Sequence, residues 1–179
     1  MLAPVHRLYS FLMPRDKFAA TVTLGETAIT LPAERIDPPA GPAYPSPQPN
    51  TAPGGGEASV PLIALAWGRS GDKGNLYNVG IIARRPEYLP HIRAALTEDA
   101  VAAWLRHTFD DPATGQVRRY DAPGIHAVNF VVSESLRGGA ATLLRLDCFA
   151  KGMAQQLLQI PIPVPAALAR RWDGKRLSI

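Results

Sequence analysis

Between Asp37 and Ser59 the chain reads DPPAGPAYPSPQPNTAPGGGEAS. Prolines at this density hold the backbone extended and remove amide donors, while the Gly54-Gly55-Gly56 run adds conformational freedom. Almost no apolar side chain is there to be buried, so the segment reads as a linker or a surface strap. It divides the 179 residues into an N-terminal extension (1–36), the linker (37–59), a main domain (60–165) and a basic tail (166–179). One domain with extensions suits this length better than two full domains.

The extension contains Thr21-Val-Thr-Leu24, then Gly25-Glu26, then Thr27-Ala-Ile-Thr-Leu31. A Gly-X pair between two alternating β-prone runs predicts a two-residue hairpin with positive φ at Gly25. An isolated hairpin is marginal in water and needs a surface to dock on.

In the main domain, the apolar run Pro61–Trp67 reads as a central strand covered on both faces, and Tyr77–Arg85 as a second strand. Pro86 and Glu87 mark a helix start, with Leu89, Ile92 and Leu96 at helical spacing. Thr97 is the N-cap expected for a helix carrying Val101, Trp104 and Leu105. Val117–Asp121 is a strand. Gly124–Leu136 fits either period, and the Gly138-Gly139 pair favours a helix ending there. Ala140–Phe149 alternates like a strand, and Met153, Ala154, Leu157 and Leu158 form a last helical stripe ended by Pro161. The Ile-Pro-Ile-Pro-Val-Pro stretch must be extended, along an edge, and Arg170–Ile179 reads as a mobile tail. About four strands with helices on one face give an α+β sandwich, and the absence of βαβ alternation argues against a Rossmann fold.

Composition narrows the function classes. Hydrophobic residues are 46% and charged residues 19%, enough apolar content for a packed core. The net charge of +4 comes from separated pairs (Arg84-Arg85, Arg118-Arg119, Arg170-Arg171) rather than a basic run, so nucleic acid is not an expected partner. Cys148 is the only cysteine, which excludes an intrachain disulfide, and its alternating context predicts a buried thiol. Val60–Trp67 is too short to span a bilayer, and no apolar N-terminal segment ends in a small-residue cleavage site; a cytoplasmic protein without membrane contact is expected. His6, His91, His107 and His126 form no metal-ligand spacing, so neither a metal nor a cofactor is expected.

The densest polar cluster is Arg69-Ser-Gly-Asp-Lys-Gly-Asn75. It lacks the spacing of a P-loop, of a dinucleotide fingerprint and of an EF-hand. Gly71 and Gly74 could let consecutive amides converge on an anion, with Arg69 and Lys73 supplying charge and Ser70 and Asn75 donating from side chains. The plainer alternative is a tight turn held by Asp72 bonding its own backbone. His126 and Asn129, together with Asn78, could face the same pocket; His126 also reads simply as a surface residue at a helix N-terminus.

The run Leu65–Asn75, followed by Asn78-Val-Gly-Ile-Ile-Ala-Arg-Arg-Pro-Glu-Tyr-Leu89, resembles the C-terminal domain of the acyclic terpene utilisation protein AtuA family. Arg119-Tyr120, Pro123-Gly124, Ala127-Val-Asn-Phe130, Leu136-Arg-Gly-Gly139, Lys151 and Ala154–Leu158 extend the likeness over roughly Val60–Pro165. The resemblance implies a ferredoxin-like fold and a role in degrading acyclic terpenes such as citronellol and geraniol through acyl-CoA intermediates. Family members usually carry a larger N-terminal domain whose closing end Met1–Ile36 resembles, which leaves open a natural short form or a piece of a longer protein. Asn75 stands where the family more often has aspartate, which weakens any role needing a second carboxylate.

Two functions follow. The first is an accessory module that binds an anion such as an acyl-CoA, or assembles as a homo-oligomer or with a larger AtuA-type partner. The second is an enzyme or half-site acting on a branched acyl-CoA. There Asp72 would be the base, Lys73 and Arg69 would hold the anion, and Asn75, Asn78 or Asn129 would polarise a carbonyl. A base at Asp72 would sit beside the Lys73 ammonium, whose charge weakens it, so the binding module ranks first.

Overall fold

The computed structural model describes residues 11–31, 56–172 and Gly174. Residues 1–10, nearly all of the linker (37–55) and the end of the tail (175–179) lie outside that description. The described residues fall into two compact units, 11–31 in one and the rest in the other.

In the first unit, β1 (Ala20–Leu24) pairs antiparallel with β2 (Thr27–Leu31). Leu24 faces Thr27, so Gly25-Glu26 is the two-residue turn the sequence predicts, with Gly25 at φ 61°.

The second unit is built on four antiparallel strands in the order β4-β5-β7-β6: β4 (Ala66–Lys73), β5 (Leu76–Ala83), β6 (Val117–Ala122) and β7 (Ala127–Val132). The chain leaves β5 through α2 (Leu89–Ala95) and α3 (Glu98–Trp104) and returns as β6. It then fills the gap between β5 and β6 with β7, so β5 and β6 run parallel. Thr97 caps α3 as expected, its Oγ1 accepting from the Ala100 amide at 3.1 Å. Helix α4 (Met153–Leu157) packs on β4. Strand β8 (Pro161–Val164) pairs with β3 (Ala58–Pro61) in a separate ribbon, the extended proline segment in its expected edge role. A short helix α5 (Ala166–Ala169) follows.

Three elements differ from the sequence expectation. The Pro61–Trp67 run is not one strand: β3 ends at Pro61, α1 (Leu62–Leu65) makes one helical turn, and β4 starts at Ala66. Leu62, Ala64 and Leu65 are buried while Ile63 and Trp67 are exposed, so the run is not covered on both faces as expected, and a short apolar run fits either conformation. Gly124–Leu136 is not a helix. Pro123–His126 is a turn between β6 and β7, and the alternation of Val128, Phe130 and Val132 is that of a strand. Gly138 and Gly139 adopt φ 86° and 126° in a loop rather than capping a helix.

Finally, Ala140–Phe149 forms successive turns, with Leu144 and Leu146 exposed. Asp147 explains this: its carboxylate accepts from the amides of Lys151 and Gly152 at 2.8 Å each, a local pairing that competes with a ladder. The Arg145 guanidinium donates to the Ser135 and Thr108 carbonyls and ties the loop down. Cys148 is half-buried rather than fully buried, and Trp172, placed in the mobile tail by sequence, packs against the core.

Side chains of Tyr77, Val79 and Ile81 from β5 and Val128, Phe130 and Val132 from β7 meet Ile92, Leu96, Val101, Leu105 and Leu157 in one buried cluster. Tyr77 is fully enclosed, and its hydroxyl lies 2.7 Å from Thr108 Oγ1, which donates to the Leu105 carbonyl. Burial pushes the phenol up to about 12, outweighing the hydrogen bond to Thr108. The folded state therefore holds this proton after the unfolded chain releases it near pH ~10. Stability should fall from there up to about pH 12, by at most ~1.4 kcal/mol per pH unit. Urea titrations across that range check this, and Tyr77→Phe should flatten the decline.

Each outer strand has one outward-facing amide engaged. Beside β4, the Asp72 amide donates to the Phe149 carbonyl at 3.0 Å. Beside β6, the Arg119 amide donates to Glu98 Oε1 at 2.7 Å.

Candidate functional site

Strand pleating sorts the polar cluster into two groups. Trp67, Arg69, Gly71 and Lys73 stand opposite Ile82, Gly80, Asn78 and Leu76, and share a face with Asn129, Val131, Arg118 and Tyr120 across the sheet. Ser70 and Asp72 alternate with them and point to the helical side, where Ser70 is buried. The seven-residue cluster is thus mostly strand. Lys73 pairs with Leu76, so only Gly74 and Asn75 form the turn, with Gly74 at φ 70°. Gly71 is extended, and the amides around it alternate instead of converging; the Asp72 amide is bonded to Phe149. The expected concave amide seat is absent because the residues either side of Gly71 stay in the ladder.

Individual residues have clear local roles. Ser70 Oγ accepts from the Ala154 amide at 2.9 Å and lies 3.2 Å from the Lys151 carbonyl, to which it donates. This clamps the start of α4 to β4. Ser70→Ala leaves the buried Ala154 amide without its acceptor and should cost about 1–3 kcal/mol in a denaturant titration. Asn75 Oδ1 accepts from the Gly138 amide at 2.7 Å and its Nδ2 donates to Glu134 Oε2 at 2.9 Å. It staples the 134–138 loop. His126, at φ 51° in the β6–β7 turn, is at the opposite end of the sheet, about 20 Å away at ~3.3 Å per strand residue. It does not join Asn75. His107 contacts Gln156 Oε1 at 2.8 Å.

The residues left on the open face make a coherent surface. Trp67, Ile82 and Tyr120 are 52%, 43% and 51% exposed, and the Arg84 guanidinium lies over the Trp67 ring at 4.8 Å. Asn78 Nδ2 donates to Asn129 Oδ1 at 3.1 Å, leaving one amide acceptor and one donor of the pair unused among the described residues. Gly80, between them and Arg69, supplies no side chain and makes a shallow floor. Over Gly71 the space is taken by a cation: a Cβ there would lie 2.9 Å from Lys151 Nζ. Lys151 therefore reaches round the β4 edge onto the open face, where Arg69, Lys73 and Arg118 also lie. None of the residues that the register turns to this face is Asp or Glu.

Sequence reasoning picked out Arg69, Gly71, Lys73, Asn78 and Asn129 but missed Trp67, Gly80, Arg118, Tyr120 and Lys151. Alternation within β4, β5 and β6 would have found the first four had the strand limits been known. Nothing local marks Lys151, which arrives from far along the chain. Among the described residues no three His, Cys, Asp or Glu side chains gather as a metal site, and no helix is long and apolar enough to cross a membrane.

No curated protein and no solved structure matches the chain. A family model, the AtuA ferredoxin-like domain, matches residues 60–163, the span that holds the four-stranded sheet, its helices and the open face. On that match, covering more than half of its length, the chain belongs to the AtuA ferredoxin-like domain family.

Proposed function

We propose that this chain is an accessory binding module in the catabolism of acyclic terpenes or branched acyl-CoA esters, and that it takes an acyl-CoA-type anion along the open sheet face. The observation that carries this reading is the distribution of charge there: several cations, two unused amide groups and no carboxylate. An acid-free surface attracts anions without a repulsive element to overcome. Its polarity is also ordered. Trp67, Ile82, Ala127 and Ala122 form an apolar row, and Lys73, Arg118 and the Lys151 ammonium lie two to three rows further along, about 13–20 Å at ~3.3 Å per residue. An acyl chain laid over the first row would set phosphates over the second group. Asn129 in the row between them, bonded to Asn78 in the row of Arg118, suits the amides or the carbonyl of the connecting arm.

Binding is favoured over catalysis by one geometric fact: Asp72 and Lys73 leave β4 on opposite faces, so they cannot act together on one substrate atom. Lys73 Nζ instead donates to the Asp72 carbonyl at 3.0 Å. The test is calorimetric titration of the full chain with free CoA and with branched acyl-CoA esters. The expected result is saturable binding, tighter for the esters, without hydrolysis of the thioester. Absence of heat and of thermal stabilisation with every ligand sinks the reading.

A further inference from the structure

Lys151 is held on the open sheet face by more structure than a surface lysine needs. The Asp147 carboxylate accepts from its amide at 2.8 Å, Ser70 Oγ donates to its carbonyl at 3.2 Å, and the nearby Phe149 carbonyl is bonded to the Asp72 amide. Ala150, just before it, is fully buried at φ 51°, a left-handed conformation that is unfavourable for a residue with a Cβ. This backbone carries the side chain round the β4 edge until its ammonium covers Gly71. Gly71 is ordinary strand, so turn geometry does not call for glycine there. Room for the ammonium does, since a Cβ would lie 2.9 Å from Lys151 Nζ. Lys151 thus joins Arg69 and Lys73, which flank Gly71 on the same face. Like charges gathered this closely lower stability unless an anion joins them. Among the described residues the Lys151 ammonium has no hydrogen-bond or ion-pair partner, and both Asp147 oxygens are taken by the amides of Lys151 and Gly152.

We propose that Lys151 anchors a diphosphate subsite, its ammonium meeting one phosphate over Gly71 and Lys73 the next, with Asn78 completing the seat. Asn78 stands directly opposite Gly71 and keeps one amide hydrogen beyond the one it gives to Asn129. The Lys73 ammonium likewise keeps hydrogens beyond the one given to the Asp72 carbonyl. A diphosphate suits this set better than a single carboxylate, because its charge is spread over several oxygens that two ammonium groups and an amide can share. Gly71 is the positioning residue, acting only through the space it leaves for Lys151. The inference rests on the binding reading for the rest of the ligand and names the group that the cationic end of the face receives. Repulsion among the cations supplies a signature that a structural lysine lacks: removing the charge should weaken the anion without weakening the fold.

Calorimetric titration of the full chain with inorganic pyrophosphate, run beside the acyl-CoA titration, tests this. The wild type should bind pyrophosphate saturably. Lys151→Gln should lower that affinity at least about tenfold and leave the denaturation midpoint unchanged or higher. Gly71→Ala keeps every charge but displaces the ammonium, so it too should lower affinity, by about threefold or more. Arg106→Gln removes an exposed cation that lies outside the sheet and should leave binding unchanged. Absence of pyrophosphate binding overturns the subsite. So does binding that Lys151→Gln or Gly71→Ala leaves at wild-type strength, that Arg106→Gln weakens as much, or that Lys151→Gln loses only together with stability. Acyl-CoA binding that Lys151→Gln does not affect also overturns the subsite, while the binding reading stands. Lys151-dependent pyrophosphate binding without any acyl-CoA binding does the reverse.

Discussion

Replacing Phe130 with alanine is expected to lower the stability of the main unit by about 3–5 kcal/mol. Phe130 is fully buried in β7, one of the two strands with neighbours on both sides, and faces the helices with Val128 and Val132. The lost aromatic leaves a cavity that the paired backbone of β5 and β6 cannot collapse into, so the cost includes the void as well as the transfer term. Chemical denaturation should show the midpoint shift with little change in slope. The adjacent residue gives the complementary result. Asn129 lies on the open face, so Asn129→Ala should leave the midpoint within about 0.5 kcal/mol while weakening acyl-CoA binding. Equal stability losses at both positions would mean that the open face is not a free surface.

The second large effect is expected from charge. Lys73→Glu combined with Lys151→Glu changes the face by four units of charge at the place where phosphates would lie. Each reversal removes an attraction and adds a repulsion, so affinity for a multiply charged acyl-CoA should fall by at least about a hundredfold, roughly 2.7 kcal/mol. Both side chains are exposed, so the fold should tolerate the change. Raising salt should weaken wild-type binding and leave the residual binding of the double variant nearly unaffected. Unchanged affinity in the double variant would place the anion elsewhere.

The fold was largely readable where one local signal acted alone. Gly25-Glu26 between threonine-rich runs, Thr97 ahead of two acidic residues, and the prolines of 161–165 each have one physical solution, and the structure adopts it. Failure came where signals competed. Val128, Phe130 and Val132 alternate within a stretch that also has helical spacing, and pairing with both β5 and β6 decided for strand. The β-like pattern of 142–148 lost to Asp147 and Arg145, whose hydrogen bonds to backbone cannot be read from hydropathy.

At the site, the cluster around Gly71 was conspicuous in sequence, but its role depended on which residues were strand. Read as a loop, it implied converging amides. As a strand ending in a two-residue turn, it deals its side chains to opposite faces and hands the surface to partners from β5, β6, β7 and Lys151.

Glu98 at the β6 margin and the Phe149 carbonyl at the β4 margin act as stoppers at the two ends of the row of strands. A fifth strand approaching from either side meets an amide already taken. The main unit should thus remain discrete when crowded in solution, without growing laterally into fibres, even with one broad face uncovered. Removing the Glu98 carboxylate would unlock one side, and slow thioflavin-positive assembly would be its signature.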